Sequence, residues 1–469
     1  MADDRRVVIV GGGPAGLTAA YALMKAGLPS VVLEKEAQVG GHARTVCHDG
    51  FLFDVGGHRF FTKIPEVRQI WQEVLGERFL RVRRLSRILY RGRFFHYPLK
   101  PLEALWRMGL FESGWVALSY TRKKLFPMPE DGTLESWMSN RFGRRLFLMF
   151  FKTYTEKVWG RKCTEIRSDW AAQRIKGLTL GGAMRNALVP GRERPRSLIE
   201  EFDYPRRGPG MLWERMAERL REGGQEIRLE RDVIRIRHEG ATVRAVVSGH
   251  SGQEDEHAGT HFLASMALQE LILALDPPAP AEVRDHARAL RYRDFITVAV
   301  VIRRPAVFPD NWIYVHTPDV HVARIQNYKN WSAAMVPDPG QTCLGLEYFC
   351  NEGDALWSMP DASLKALARR EVARLGFAAE DEVTGAAVLR QRKAYPVYDW
   401  EYKEHLAALR SYLDGFGNLQ MIGRNGLHKY NNQDHAMLTA LLAVRNLLGE
   451  QLDVWAVNTE NEYQEITTT

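Results

Sequence analysis

The strand-like run Val7-Val8-Ile9-Val10 breaks into Gly11-Gly12-Gly13-Pro14-Ala15-Gly16, and an apolar helical pattern then continues to Gly27. Gly11, Gly13 and Gly16 have the G-x-G-x-x-G spacing. The first glycine permits a tight turn, the second lets backbone approach a pyrophosphate, and the third lets the helix pack on the strand. Phosphates then rest on the amides at the helix start. A second strand, Ser30-Val31-Val32-Leu33, ends in Glu34 and Lys35. A carboxylate there accepts hydrogen bonds from a ribose diol and repels a 2′-phosphate, which disfavours NADP. The chain is expected to open with a Rossmann-type α/β domain that holds a dinucleotide through Gly11, Gly13, Pro14, Ala15, Gly16, Glu34 and Lys35.

At 469 residues the chain is too long for one core and predicts two or three domains. No apolar run has the length needed to cross a bilayer, and the start is too short and glycine-broken for a signal peptide. Cys47, Cys163, Cys343 and Cys350 form no CxxC or metal-ligand pattern. Reduced thiols, a cytoplasmic location and no bound metal are expected. The formal net charge is +7, with arginines clustered at 81, 83, 84, 87, 91 and 93. No nucleic-acid module accompanies them, so nucleic acid is not an expected partner; the run reads as a solvated helix or strand face. A positive excess also suits a small anionic substrate.

Gly40-Gly41-His42-Ala43-Arg44-Thr45 follows the second strand, and Phe51-Leu52-Phe53-Asp54-Val55-Gly56-Gly57 gives another strand and turn. This resembles the glutathione-reductase-type FAD fold, which carries GG-x-x-R-T after the acidic residue. The resemblance implies FAD, with Gly40, Gly41, Arg44, Gly56, Gly57 and His58 along it. Near the end, a strand leads into Gly423-Arg424, and Asp434, His435 and Ala436 open a long apolar helix. In that fold the pattern closes the flavin site, so the FAD domain is discontinuous. Residues 225–265 read as strands around a polar loop at 249–260, with Val233 expected at the cofactor. The expected boundaries are 1–90, 201–275 and 396–469 for the FAD domain, 91–200 for a helical insertion, and 276–395 for a sheet-rich substrate domain.

Several further segments, in the same order, resemble the flavin-dependent UDP-galactopyranose mutases, a family related to the amine oxidase and protoporphyrinogen oxidase group. They are Gly56-Gly57-His58-Arg59-Phe60-Phe61-Thr62, Gly92-Arg93-Phe94-Phe95-His96-Tyr97-Pro98-Leu99, and Phe150-Phe151 with Tyr154-Thr155-Glu156-Lys157-Val158-Trp159-Gly160. Val322-Ala323-Arg324-Ile325, Glu347-Tyr348, Ala394-Tyr395-Pro396 and Gly423-Arg424 complete the set. Residues 349–394 form a longer connection than bacterial mutases have.

The resemblance implies a redox-neutral mutase acting on a nucleotide-diphosphate sugar. Reduced flavin N5 attacks the anomeric carbon, the diphosphate leaves and returns, and pyranose and furanose interconvert with no net electron movement. The absence of a second G-x-G-x-x-G agrees, because such an enzyme needs no nicotinamide domain, and it agrees equally with an oxidase that uses oxygen. An external reductant such as NAD(P)H would keep the flavin reduced. A homo-oligomer is compatible with the sequence. Arg324 carries over from the family's catalytic arginine and Arg174 more loosely as a second one; forked guanidinium donors suit phosphate oxygens. Tyr348 and Tyr395 match diphosphate-binding tyrosines, Trp159 would line the sugar or nucleotide pocket, and His58 would tune the flavin. The rival reading is an FAD-dependent oxidoreductase of the amine oxidase, protoporphyrinogen oxidase or desaturase kind, which shares the FAD segments. A flavin-binding scaffold without turnover is the third.

Overall fold

The computed structural model describes residues 5–97, 99–168 and 199–458. Its first layer is a five-stranded, all-parallel sheet in the order Leu419–Met421, His261–Ala264, Val7–Val10, Ser30–Leu33, Glu226–Arg228. Helices cover both faces of such a sheet, so its strands read as continuous apolar runs without alternation. Val7, Val8, Ile9 and Val10 are all buried, packed with residues of the helices Pro14–Lys25, Gly210–Glu222 and Gln433–Leu447. Strands from distant parts of the chain thus build one discontinuous Rossmann-type unit. At its first turn Gly11 has φ +103°, and a Cβ there would lie 2.2 Å from the Ser265 hydroxyl oxygen, so the turn admits only glycine.

The polar stretch 249–260 is not a loop. Gln253–Ala258 is a strand paired antiparallel with Thr242–His250. Its residues are too polar to signal burial. They pair through the backbone ladder with Thr242–His250, and Arg235 and Arg237, one strand further on, form ion pairs with Glu254 and Glu256 across it.

The second layer is a seven-stranded sheet in the order Val383–Pro396, Tyr292–Ile302, Thr342–Cys350, Arg324–Asn327, Trp312–Val315, Ser86–Tyr90, Arg93–His96. The last two strands form a hairpin through Arg91 and Gly92 and join the same sheet. The arginine run there is not one solvated face. Arg81 pairs with Glu201 across a separate two-stranded ribbon, whereas Arg87 grips the fully buried carboxylate of Asp310 at 2.5 Å. The long 349–394 connection supplies the helix Asp361–Arg374, whose Leu364, Ala368 and Val372 bury one sheet face with Ile296, Val298 and Leu346. The opposite face remains for the site.

Helices Pro101–Met108, Leu110–Leu125, Leu134–Phe142 and Thr153–Trp159 form the helical insertion, with a π-helical turn over Leu148–Lys152. The helix Thr153–Trp159 ends at Gly160, in the left-handed region at φ 62°. There the buried Arg293 guanidinium donates to the carbonyls of Val158, Lys157 and Phe349, joining the helix C-terminus to the sheet. Lys157 reaches back to the carbonyls of Thr317 (2.7 Å) and Val322 (3.2 Å). Among the described residues no helix is long and apolar enough to cross a membrane, and all four cysteines are unpaired.

A Cβ on Gly160 would fall 2.6 Å from the Arg293 guanidinium carbon, at a φ that L-residues avoid. Gly160→Ala should therefore destabilise by about 1–3 kcal/mol, read as a lower urea midpoint. An unchanged midpoint would refute this junction.

Candidate active site

The open face of the seven-stranded sheet is set by strand register. Arg324 pairs directly with Glu347, and in strands every second residue shares a face, so Gln326 and Phe349 lie beside them. The Glu347 carboxylate is fully buried. It accepts from Arg324 Nε (2.7 Å) and Nη2 (2.5 Å), and from Gln326 Nε2 (3.0 Å). Arg324 Nη2 also lies 3.5 Å from the Tyr395 hydroxyl. Burial works against the Arg324 charge, but Glu347, with Tyr395 and Tyr154, outweighs it and holds the guanidinium well above its ordinary range. Burial pushes Tyr395 up to about 12 and Tyr154 well above its usual value, so both present neutral hydroxyls.

Around this pair the walls are aromatic. Phe295, Phe349 and Tyr395 cluster with centroids 5.7–6.3 Å apart. Tyr395 stacks on Tyr430 at 5.4 Å, and the Arg424 guanidinium sits over both rings at 4.8 and 4.4 Å. From the helical side Tyr154 meets Tyr314 edge-on and lies flat against His316 at 4.8 Å.

The glycine turn roofs the face. A Cβ on Gly56 would touch Phe295 at 3.6 Å, and one on Gly57 would collide with Gln326 at 2.7 Å. His58 Nε2 lies 2.7 Å from the Val55 carbonyl, which places the ring proton on Nε2. Burial, with the nearby Arg424 and Arg324 charges, lowers His58 to about 4, and His42 likewise falls to about 3. Both rings are neutral near pH 7.

The dinucleotide residues converge on one cradle. Gly12 N–H donates to Glu34 at 2.6 Å, Gly40 N–H to the Gly12 carbonyl, and Arg44 to the Gly41 carbonyl at 2.8 Å. A Cβ on Gly16 would lie 1.8 Å from the Gly11 oxygen, and one on Gly423 would lie 2.9 Å from the Ala15 Cβ. The Gly423 turn therefore meets the start of the first long helix at this loop, and Asn431, just ahead of the last long helix, donates to the Gly423 carbonyl at 3.2 Å. Pro14 stands at the head of the first of these helices; Asp434, His435 and Ala436 are buried at the head of the last. Val233 is buried in the neighbouring sheet at an irregularity in its pairing, and Lys35 is exposed. Buried polar atoms without hydrogen-bond partners in the protein are found here: Arg424 Nε and Nη2, Asp434 Oδ2, and the Gln433 amide. The unmet donors, beside a glycine cradle and helix N-termini, fit a bound pyrophosphate, and the unmet acceptors fit its flanking hydroxyls.

Not every expected residue reaches the site. Tyr348 alternates to the opposite face and is buried beneath the helix Asp361–Arg374 with Leu364 and Val372. Its neighbour Glu347 takes the place facing Arg324. Period-two alternation from the Arg324–Glu347 pairing is the signal that separates them. Trp159 lies apart from the Arg324 face, lining a cleft with Arg161, Ile166, Val397 and Tyr398. Arg174 lies outside the described residues. Gln326, Tyr154 and Tyr430 join the site unforeseen as functional groups, because their partners come from separate strands and helices. Among the described residues no group of three or more His, Cys, Asp or Glu side chains could hold a metal ion.

The fold recurs in solved flavoproteins. A crystal structure of reduced UDP-galactopyranose mutase matches with a TM-score of 0.84 over 97% of this chain and 98% of that chain, at 19% identity. Wild-type putrescine oxidase bound to putrescine matches with a TM-score of 0.59 over 95% of this chain and 99% of that chain, at 16% identity. Protoporphyrinogen oxidase 2, chloroplastic/mitochondrial, of Arabidopsis thaliana is 37% identical over 72 residues, which is 15% of this chain and 14% of that protein. Such matches span between 11% and 17% of the curated relatives' lengths. The family model described as flavin containing amine oxidoreductase matches residues 14–428. The chain belongs to that family and is an FAD protein.

Proposed function

We propose that this enzyme is a redox-neutral mutase acting on a nucleotide-diphosphate sugar, interconverting its pyranose and furanose forms. The observation that carries the reading is the polar group on the sheet face: Arg324 held by Glu347 and Gln326, beside the Tyr395 hydroxyl. The whole-length likeness to a reduced UDP-galactopyranose mutase supports it. Bound and reduced, FAD would supply a nucleophile at the anomeric carbon. The chain's residues do the rest. Arg324 turns its remaining donors to the diphosphate, and the neutral Tyr395 hydroxyl donates to the same oxygens. The aromatic walls exclude water, which strengthens those contacts as charge develops on the leaving oxygen. Arg174 is proposed as a second phosphate contact. Trp159 is proposed as a wall of the nucleotide end, and Arg44, Arg424 and the head of the last long helix as the hold on FAD. An external reductant such as NAD(P)H would maintain the active state.

A second reading, an FAD-dependent oxidoreductase, is favoured by one observation. Glu347 already compensates the Arg324 charge, and the surrounding walls of Phe295, Phe349, Tyr314 and Tyr154 suit an apolar substrate.

The redox requirement separates the two. Chemically pre-reduced enzyme should convert many equivalents of UDP-galactopyranose, or another nucleotide sugar from a panel, without stoichiometric loss of reductant, while oxidised enzyme stays inert. Oxygen consumption matched one-to-one with product would establish the oxidoreductase instead.

Arg324→Ala should lower kcat/KM at least about thirtyfold, since losing one partner of a buried charge pair costs roughly 2 kcal/mol or more. The double variant Arg324→Ala with Glu347→Gln removes the orphaned carboxylate. It should keep normal flavin content yet show the same kinetic loss. Arg324→Lys should recover only part of the rate, because an ammonium lacks the fork. Near-normal turnover by the double variant would remove Arg324 from the phosphate clamp.

With its pKa near 4, His58 carries no ionisation through the neutral range. His58→Gln should keep the wild-type shape of the kcat/KM pH profile between about pH 5 and 8. Loss of an ionisation near neutrality in that variant would contradict a permanently neutral His58.

A further inference from the structure

The helical insertion exposes an apolar stripe that no described element covers. On the helix Leu110–Leu125, Val116 turns inward, while Leu110 (95% exposed), Phe111 (80%), Trp115 (50%) and Leu118 (58%) face out. Trp106 (81%) from the preceding helix and Leu125 and Phe126 at the far end extend the stripe. Phe111, Trp115 and Leu118 follow helical spacing and form one apolar face, and Leu125 continues it one turn beyond Arg122, which sits on the same face.

Charge surrounds this face at both ends. Arg122, Lys123 and Lys124 close its C-terminal end. Arg91 and Arg93 lie at the other, where Arg93 donates to the carbonyl of Arg107 at 2.8 Å and the Arg91 charge acts on Glu112. The two carboxylates of these helices are already occupied. Glu103 pairs with Arg107 and His96, and Glu112 pairs with Arg145.

We infer that this face seats the enzyme on an anionic lipid bilayer. Indole and phenyl rings suit the headgroup boundary, and the long basic side chains reach past them to lipid phosphates. The charge pattern selects this occupant over a second copy of the chain. A two-fold pairing of the same face, with helices parallel or antiparallel, sets cation-rich ends against each other. A bilayer of net negative charge satisfies both ends at once. The stripe is solvent-exposed on helices that contribute no side chain to the contacts around Arg324, so lipid attachment is separable from catalysis.

The test uses the full-length, FAD-loaded protein and two kinds of vesicle, phosphatidylcholine alone and phosphatidylcholine with phosphatidylglycerol. The protein should co-sediment with the anionic vesicles, much less with the neutral ones, and less as salt rises. The triple variant Phe111→Ser, Trp115→Ser, Leu118→Ser should partition at least about tenfold more weakly, as should Arg122→Glu with Lys124→Glu. Both should keep wild-type flavin absorbance and turnover, because every substituted side chain lies outside the site. Any one of three results would overturn the proposal. The first is no vesicle binding. The second is binding that neither variant weakens. The third is a wild-type dimer in solution that the triple serine variant converts to monomer, which assigns the stripe to a second copy.

Discussion

The site is organised around one buried ion pair. Glu347 is fully buried on a central strand, where a carboxylate without partners costs several kcal/mol. Arg324 answers it with two donors and Gln326 with a third, and all three groups face one another only in the observed register of their strands. A slip by one residue would bury the arginine among Leu346, Tyr348 and the helix beneath them. The pair therefore fixes strand register and the direction of the guanidinium together. It also sets the electrostatics of the pocket, because the Arg324 charge arrives already balanced.

Other contacts carry that geometry outward. Arg293 and Lys157 fasten the helix Thr153–Trp159 to the sheet and to the segment just before Arg324, which brings Tyr154 to the pocket. The Gly56-Gly57 turn approaches Phe295 and Gln326 more closely than any side chain on Gly57 would allow. The Gly423 turn meets Ala15, so the end of the chain closes over its beginning. The glycine cradle and the Arg324 face are separate constructions, one on parallel strands and one on the mixed sheet. That separation explains how a single scaffold recurs in a mutase and in putrescine oxidase. What distinguishes the chemistry must lie on the second sheet and the helices that face it.

The FAD unit was legible early because its signals are local. Gly11, Gly13, Gly16 and Glu34 act through backbone shape and one carboxylate within a single strand–helix–strand unit, and their spacing carries that information. The substrate face was legible only in outline. Arg324 and Tyr395 came from a resemblance and do come together, whereas Tyr348 came from the same resemblance and does not. Adjacent residues on a strand point to opposite sides, and a motif match cannot say which of Glu347 and Tyr348 looks inward. The strand at Gln253–Ala258 was hidden because its residues are polar and carry no apolar alternation; its backbone ladder with Thr242–His250 makes it a strand.

By itself, then, the sequence determined the dinucleotide loop and the strand–helix–strand unit around it, while family resemblance supplied the discontinuity of the FAD unit and the choice of Arg324. The loop and its unit follow from steric demands on glycine and from unbroken apolar runs; the guanidinium's chemistry says only why an arginine suits an anionic group. Tertiary structure alone decided that Glu347 would hold that arginine, that Tyr154 and Tyr430 would wall it, and that the 349–394 connection would cover the far face. Those choices depend on strand register and on side chains meeting from separate strands and helices. Such long-range pairings are selected by burial and charge compensation in the assembled fold and leave no mark on local spacing.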